Sequence, residues 1–240
     1  MQRRFVPELM DDPAADVDEL DRSLGFLRLV NRRLGGRRIL LGHLSRWSRG
    51  WARAGEGTVS LLDVGTGSAD LPVEARRWAL GRGVDLRVTG VDNHASTLEL
   101  ARRHVASAGE PIASGVELVE SDALRLVERF GPGSFDYVHA GLFLHHLQDI
   151  EVLTMLRVMD RLARRGIIWN DLVRSRVYRL ALEPLLIGRP RMVKHDGRVS
   201  VEKGFTRREV LDYAQRTDLG YARYRLHLWA GRFSLAGEKP

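Results

Sequence analysis

The chain has no cysteine, and lysine occurs only at Lys194, Lys203 and Lys239 among its 38 basic residues. Without cysteine there are no disulfides, no cysteine-ligated zinc and no iron–sulfur cluster. The other basic residues are all arginine, an imbalance explained more simply by codon bias than by a binding face. A net charge of +7 is therefore weak ground for nucleic-acid contact in the absence of a recognition module. No apolar run is long enough to span a bilayer, and Met1 to Glu8 leads into no signal-peptide core, so a cytoplasmic location is expected. Internal repeats and low-complexity tracts are also missing. What is present, 240 residues of which 44% are hydrophobic, suffices for one sizeable core with an appendage.

The most informative stretch runs from Val59 to Pro72, VSLLDVGTGSADLP. A short apolar run bounded by glycines is the pattern of a strand buried on both faces of a parallel sheet. Gly65 and Gly67 permit positive φ and close backbone approach, and the amides opening the next helix can receive polar or anionic groups. The guest is expected to be nucleoside-like. Asp70 stands where a dinucleotide fingerprint wants glycine, which argues against NAD. Acidic residues recur at later strand ends. Leu86 to Val91 is followed by Asp92, Val116 to Val119 by Glu120, Ser121 and Asp122, and a fourth strand is expected at Phe135 to Val138. The strands recur at a βαβ spacing of roughly thirty residues. Taken singly, each acid is most simply a solvated loop residue, but three at three successive strand ends form a pattern.

LLDVGTGSADLP, VTGVDNHASTLELAR, VESDA and FDYVHAGLFLHHL together resemble the motif series of class I S-adenosylmethionine-dependent methyltransferases, over about Val59 to Asp171. The resemblance implies an α/β, Rossmann-like fold with a seven-stranded mixed sheet, a C-terminal antiparallel hairpin, N-terminal helices and a helical lid after strand five. It implies that Asp63, Gly65, Thr66 and Gly67 line the methionine end of S-adenosylmethionine, that Asp92 with Asn93 binds the ribose, and that Asp122 and Ala123 flank the adenine. Ala140 joins the cofactor set on the same ground. Asp70 also occurs in that family as an alternative to glycine. The absence of cysteine further excludes radical S-adenosylmethionine chemistry and cysteine-nucleophile base methylation.

The flanking segments follow in order. Val17, Leu20, Leu24, Leu27 and Val30 recur at helical spacing until Gly35-Gly36 breaks the pattern, and a second helix is expected over Arg38 to Trp47. Leu40, Leu41, Leu44, Trp47 and Trp51 among arginines allow an interfacial membrane helix, but packing against the domain is favoured. Residues 1–54 are read as a helical cap and 55–240 as the cofactor-binding domain, with a lid at about 172–204. Crossover helices are expected at Asp70 to Leu80, Ser96 to Ala106 and Asp149 to Ala163. Arg164-Arg165-Gly166 reads as a connection into a fifth strand, Ile167 to Trp169. Thr206 is the expected N-cap of a last helix, and Tyr221 to Trp229 with Arg232 to Ala236 reads as the closing hairpin.

Candidate catalytic residues are His195, His139 and His145. His195 beside Asp196 is a candidate base for a phenolic proton, although His-Asp-Gly is also a common turn. His139 lies just inside a strand end, nearest the expected sulfonium. His145 and His146 are adjacent, and adjacent side chains point in different directions, which argues against both binding one ion. His-His-Leu also resembles a form found in family members that need no metal. Asn170 and Asp171 fall at the carboxyl end of strand five as substrate-side polar groups, or Asp171 caps a helix starting near Leu172.

No Asn-Pro-Pro-Tyr or Asp-Pro-Pro-Tyr follows strand four, which disfavours methylation of nucleobase amines, and the paired-glutamate loop of arginine methyltransferases is missing. The layout resembles bacterial small-molecule methyltransferases of quinone and polyketide pathways. The expectation is methylation of a small, aromatic, hydrophobic acceptor, at oxygen rather than carbon, with peripheral membrane contact open. The alternatives are an RNA methyltransferase and a nucleotide-binding Rossmann protein without methyl transfer.

Overall fold

The computed structural model describes residues 1–51 and 57–240. The expected division between residues 54 and 55 lies outside the described residues. The chain begins as an extended strap and enters α1 (Val17–Arg33) at Asp16, whose carboxylate accepts the Glu19 amide. Then comes α2 (Gly36–Trp51). The body follows as β1 (Thr58–Val64), α3 (Asp70–Leu80), β2 (Asp85–Asp92), α4 (Ala95–Ser107), a short α5 (Glu110–Ala113), β3 (Val116–Glu120), α6 (Leu126–Phe130) and β4 (Phe135–Gly141). It continues through α7 (Asp149–Leu162), β5 (Ala163–Leu172), α8 (Arg176–Leu186), α9 (Arg191–Lys203), α10 (Arg207–Arg216), β6 (Arg223–His227) and β7 (Arg232–Glu238).

The seven strands lie in the order β3-β2-β1-β4-β5-β7-β6, parallel except for β7, which runs antiparallel to both neighbours. Consecutive units move outward from β1 to β3 and then return to its other side at β4. That reversal opens a crevice at the carboxyl ends of β1 and β4, the place where open α/β sheets bind ligands.

Alternation along each strand sends neighbouring side chains to opposite layers. Leu62, Val64, Val138, Ile167 and Trp169 join α7 and α10 in one core, while Leu61, Tyr137 and Ile168 join α2 and α3 in the other. Trp169 is fully buried, with Phe205 and Phe233 edge-on at 4.9 and 5.0 Å. In the second layer Trp47 stacks on Tyr137 at 4.9 Å and Trp51 donates to the Tyr137 hydroxyl at 2.8 Å. The apolar side of α2 is thus consumed by packing, as favoured, and the interfacial reading of this helix is overturned.

Several boundaries differ from expectation: α2 is Gly36–Trp51 instead of Arg38 to Trp47, and β6 is Arg223–His227 instead of Tyr221 to Trp229. β5 begins at Ala163 and takes in Arg164-Arg165-Gly166, because both guanidinium groups reach Asp136 Oδ1 at 3.0 Å across the strand pair. Gly166 is required there, since a Cβ would lie 2.3 Å from the Gly237 carbonyl oxygen. Lys194 to Gly197 is not a turn but part of α9. The last helix is N-capped by Thr206, with Glu209 closing a capping box. Among the described residues no helix is long and apolar enough to cross a membrane.

Candidate active site

Three strand ends and a roof enclose a cavity of about 520 Å³ at the crevice, a size suited to a nucleoside-bearing ligand together with part of a second molecule. The floor is the loop after β1. Gly65 and Gly67 take φ of +64° and +53°, and a Cβ on Gly65 would fall 2.5 Å from the Phe143 ring. Leu142 on the cavity wall and the buried Ala69 just behind Ser68 also adopt left-handed conformations, φ 53° and 55°. Non-glycine residues held so cost on the order of 1 kcal/mol or more each and cluster at functional sites.

The acids organise this loop. Asp63 is buried with both oxygens engaged, one by the Thr66 hydroxyl at 2.8 Å and the other by His139 Nδ1 at 2.5 Å. Asp92 accepts the Gly67 amide at 2.9 Å and the His94 amide at 3.1 Å, which sets its carboxylate at the mouth of the loop. Burial raises its pKa against the pull of those amides. Asp122 caps the turn that follows it through the Leu124 amide at 2.9 Å. Asp70 is pushed up to about 6, chiefly by burial, while Asn31 donates to it at 3.1 Å.

Asp63, Gly65, Thr66, Gly67, Asp92, Asn93, Asp122 and Ala123 all line this one cavity. Ala140 does not: it is fully buried one residue behind Gly141, which supplies the wall.

The candidate catalytic residues separate sharply. His145 lies on the cavity wall, held by Asp171, whose oxygens take its Nδ1–H at 2.7 Å and its backbone amide at 3.2 Å. Its buried Nε2 makes no hydrogen bond, and the nearest carboxylate is Glu8 Oε1 at 3.5 Å. Burial alone would lower this imidazole, but Asp171 and then Glu8 outweigh it and raise the pKa to about 9. His139 is sealed beneath the loop on Asp63 and does not reach the cavity. His195 faces a separate surface groove with Arg4, Arg191 and Lys194, so the geometry gives it no access to a bound methyl donor.

Asn170 and Asp171 are both fully buried and off the cavity wall, so neither is open to a substrate. Asp171 is not a helix cap either, since β5 continues through Leu172 and Ser175 caps α8. Its work is to hold His145.

The expectation that His145 and His146 diverge is also corrected. The one-turn helix at Leu144–His146 sets their rings 4.3 Å apart, and both Nε2 atoms face Glu8 Oε1, at 3.5 and 3.8 Å. Three ligand atoms therefore converge as a metal site would require. Lys203 Nζ, however, is 3.0 Å from the same Glu8 oxygen and 3.4 Å from His146 Nδ1, so an ammonium already supplies the positive charge a cation would bring. The cluster is an ion-pair network around a buried carboxylate. Burial opposes ionisation of Glu8, but His146, His145 and Lys203 hold its pKa far below the usual carboxylate range.

Glu8 arrives on the strap, which is fastened through Arg3 and Asp196. Arg3 reaches the Leu147 carbonyl at 2.9 Å and Asp149 at 2.6 Å, its guanidinium 4.3 Å over the Phe205 ring. Asp196 accepts the amides of Leu9 and Met10 at 2.7 and 3.0 Å. Leu24, Leu27 and Val30 of α1, Leu182 of α8 and Val201 of α9 add an apolar roof. Nothing local in the sequence marks Glu8, Asn31 or Phe143 as site residues; each is brought there by packing.

This topology, a seven-stranded sheet closed by an antiparallel hairpin with a glycine turn after β1, is the Rossmann-like fold of class I methyltransferases. Residues 61–166 match the family model described as a methyltransferase domain. Over 111 residues, 45% of this chain, the sequence is 31% identical to the ribosomal protein L11 methyltransferase of Myxococcus xanthus, of which the match spans 33%. The chain thus covers about a third of that curated relative's length. The fold is similar to magnesium protoporphyrin IX methyltransferase from Synechocystis with bound S-adenosylhomocysteine (TM-score 0.57, 16% identity, 87% of this chain and 85% of that one). It is also similar to an O-methyltransferase family protein from Burkholderia thailandensis (TM-score 0.57, 14% identity, 75% of this chain and 51% of that one).

Proposed function

We propose that this chain transfers the methyl group of S-adenosylmethionine to a hydroxyl oxygen of a small, aromatic, hydrophobic acceptor. The observation that carries this reading is His145, an imidazole on the wall of the cofactor cavity, fixed through Nδ1 by Asp171 and with Nε2 toward Glu8. The cofactor fits the residues present: two glycines bring backbone within contact distance, and Asp92 and Asp122 offer acceptors at the ends of β2 and β3.

S-adenosylmethionine supplies a methyl group made electrophilic by the sulfonium. Asp63 and Thr66 hold the glycine loop, Asp92 takes the ribose hydroxyls, and Asp122 with Ala123 flanks the adenine. His145 Nε2, 3.5 Å from Glu8 Oε1, takes the hydroxyl proton, and Asp171 Oδ1 holds the imidazole through Nδ1. A histidine near 9 and a phenol near 10 are well matched for proton transfer. The roof excludes water and aligns the ring by apolar contact with Leu24, Leu27, Val30 and Phe143. In this reading α1 and α2 are the cap and residues 172–204 the lid. The roof also favours a small acceptor over a polymer.

The test is calorimetric titration with S-adenosylhomocysteine of the natural protein and of Asp92→Ala, followed by methyl-transfer assays on phenols and hydroquinones. Micromolar binding lost in the variant, then turnover that requires His145, is the expected result. A folded protein that binds no S-adenosylhomocysteine would overturn the reading.

A further inference from the structure

Helix α8 turns Leu182 and Leu186 inward, yet carries a second apolar face that has no partner among the described residues. Val177, Leu180, Ala181, Pro184 and Leu185 follow the i, i+3, i+4, i+7, i+8 rule and all face solvent, with Val177 and Leu180 each 70% exposed. Its polar residues turn inward instead: Arg179 pairs with Glu183, and Glu183 with Arg198 of α9 at 2.8 Å. Ile187, just past the helix end, is 79% exposed. At the other end Tyr178 packs against Gly231 of the β6–β7 turn, which carries Leu228 and Trp229, 67% and 52% exposed. Among the described residues, six of the thirteen exposed large hydrophobic side chains are gathered on this helix, its end and this turn.

The rim of the patch is basic. Arg176, Arg189 and Arg191 lie at the helix ends, and Arg38 sits 5.5 Å over the Trp229 ring. Among the described residues none of the four is in an ion pair. Beside α9 a groove adds Arg191 and Lys194, while its Arg4 and Arg198 are paired with Glu202 and Glu183. An exposed apolar stripe with a half-exposed tryptophan and unpaired guanidinium groups around it is the composition of an interfacial helix.

We propose that α8 and the β6–β7 turn dock this protein on an anionic bilayer surface, with Val177, Leu180, Leu185, Ile187 and Trp229 entering the interface and the arginines meeting lipid phosphates. The opposite side of α8 presents Leu182 to the cofactor cavity. Docking therefore places a membrane-dissolved aromatic acceptor one helix away from His145, a consequence that rests on the acceptor reading above. The docking itself does not rest on it.

The experiment is vesicle sedimentation of the full chain without cofactor or acceptor. Phosphatidylcholine vesicles with 30% phosphatidylglycerol are compared with pure phosphatidylcholine, using the natural protein and Val177→Glu/Leu180→Glu. S-adenosylhomocysteine titration of the variant reports whether it is folded. Expected are binding to the anionic vesicles, a severalfold loss without phosphatidylglycerol, and at least a tenfold loss in the variant with cofactor affinity unchanged. A second variant, Trp229→Ser, should weaken vesicle binding severalfold. No binding by the natural protein, or equal binding by the folded double variant, would overturn the proposal. So would a natural protein that is dimeric and ignores vesicles while the double variant is monomeric, since a second copy would then be what covers this face.

Discussion

Replacing Glu8 with glutamine tests the chemistry most directly. His145 is raised to about 9 because Asp171 at 2.7 Å and Glu8 at 3.5 Å together outweigh the cost of burying an imidazolium. At pH 7 a base with that pKa is free in about one molecule in a hundred. Methyl transfer to a phenol should therefore climb with pH and level off near 9. Asp171 is nearer than Glu8 and makes the hydrogen bond, so removing the Glu8 charge should lower the His145 pKa by about one unit, ~1.4 kcal/mol. The free-base fraction at pH 7 then rises to about one in ten, and kcat at that pH by about tenfold with the plateau unchanged. The assay is initial rate at saturating cofactor and acceptor from pH 6 to 10. A profile flat across this range, or one that Glu8→Gln leaves in place, would refute the assignment of His145 as base.

Other outcomes follow from the same geometry. The raised His145 contributes stability that is present in full below its unfolded pKa of about 6.5 and is lost as pH rises through about 9. Urea midpoints should accordingly fall between pH 7 and 10, and less so in His145→Gln. Gly65→Ala should abolish S-adenosylhomocysteine binding in calorimetry, because it needs φ +64° and meets the Phe143 ring at 2.5 Å. His195→Ala should leave kcat within about twofold, since His195 opens on a different groove. Trp169→Ala should cost about 3–5 kcal/mol in denaturant unfolding, as it empties the centre of the Phe205 and Phe233 cluster.

The sheet and its cofactor end were legible in the chain because each depends on contiguous residues. Apolar runs of strand length, glycine pairs and acids at strand ends are local signals, and they put Gly65, Gly67, Asp92 and Asp122 on one cavity. The reacting end was less legible. His139, His145 and His195 are equivalent as letters, and the local context that favoured His195, a neighbouring aspartate, is present in the structure at 2.9 Å on the wrong side of α9. Asp171 was marked for its strand-end position, yet its side chain turns inward to His145 instead of outward to a ligand.

What the sequence determined by itself is the alternation of strands and helices, the glycine turn and the acids that follow each strand. All of these come from φ/ψ preference, hydrophobic period and capping, which act over a few residues. Only the tertiary structure decided that Glu8, 137 residues before His145, lies 3.5 Å from it, and that Arg3 and Asp196 fasten the strap that brings it there. It also decided that α2 buries its tryptophans while α8 leaves Val177, Leu180 and Leu185 in solvent. Helical period shows that a helix has an apolar face, but which face finds a partner depends on the packing of the layers around it.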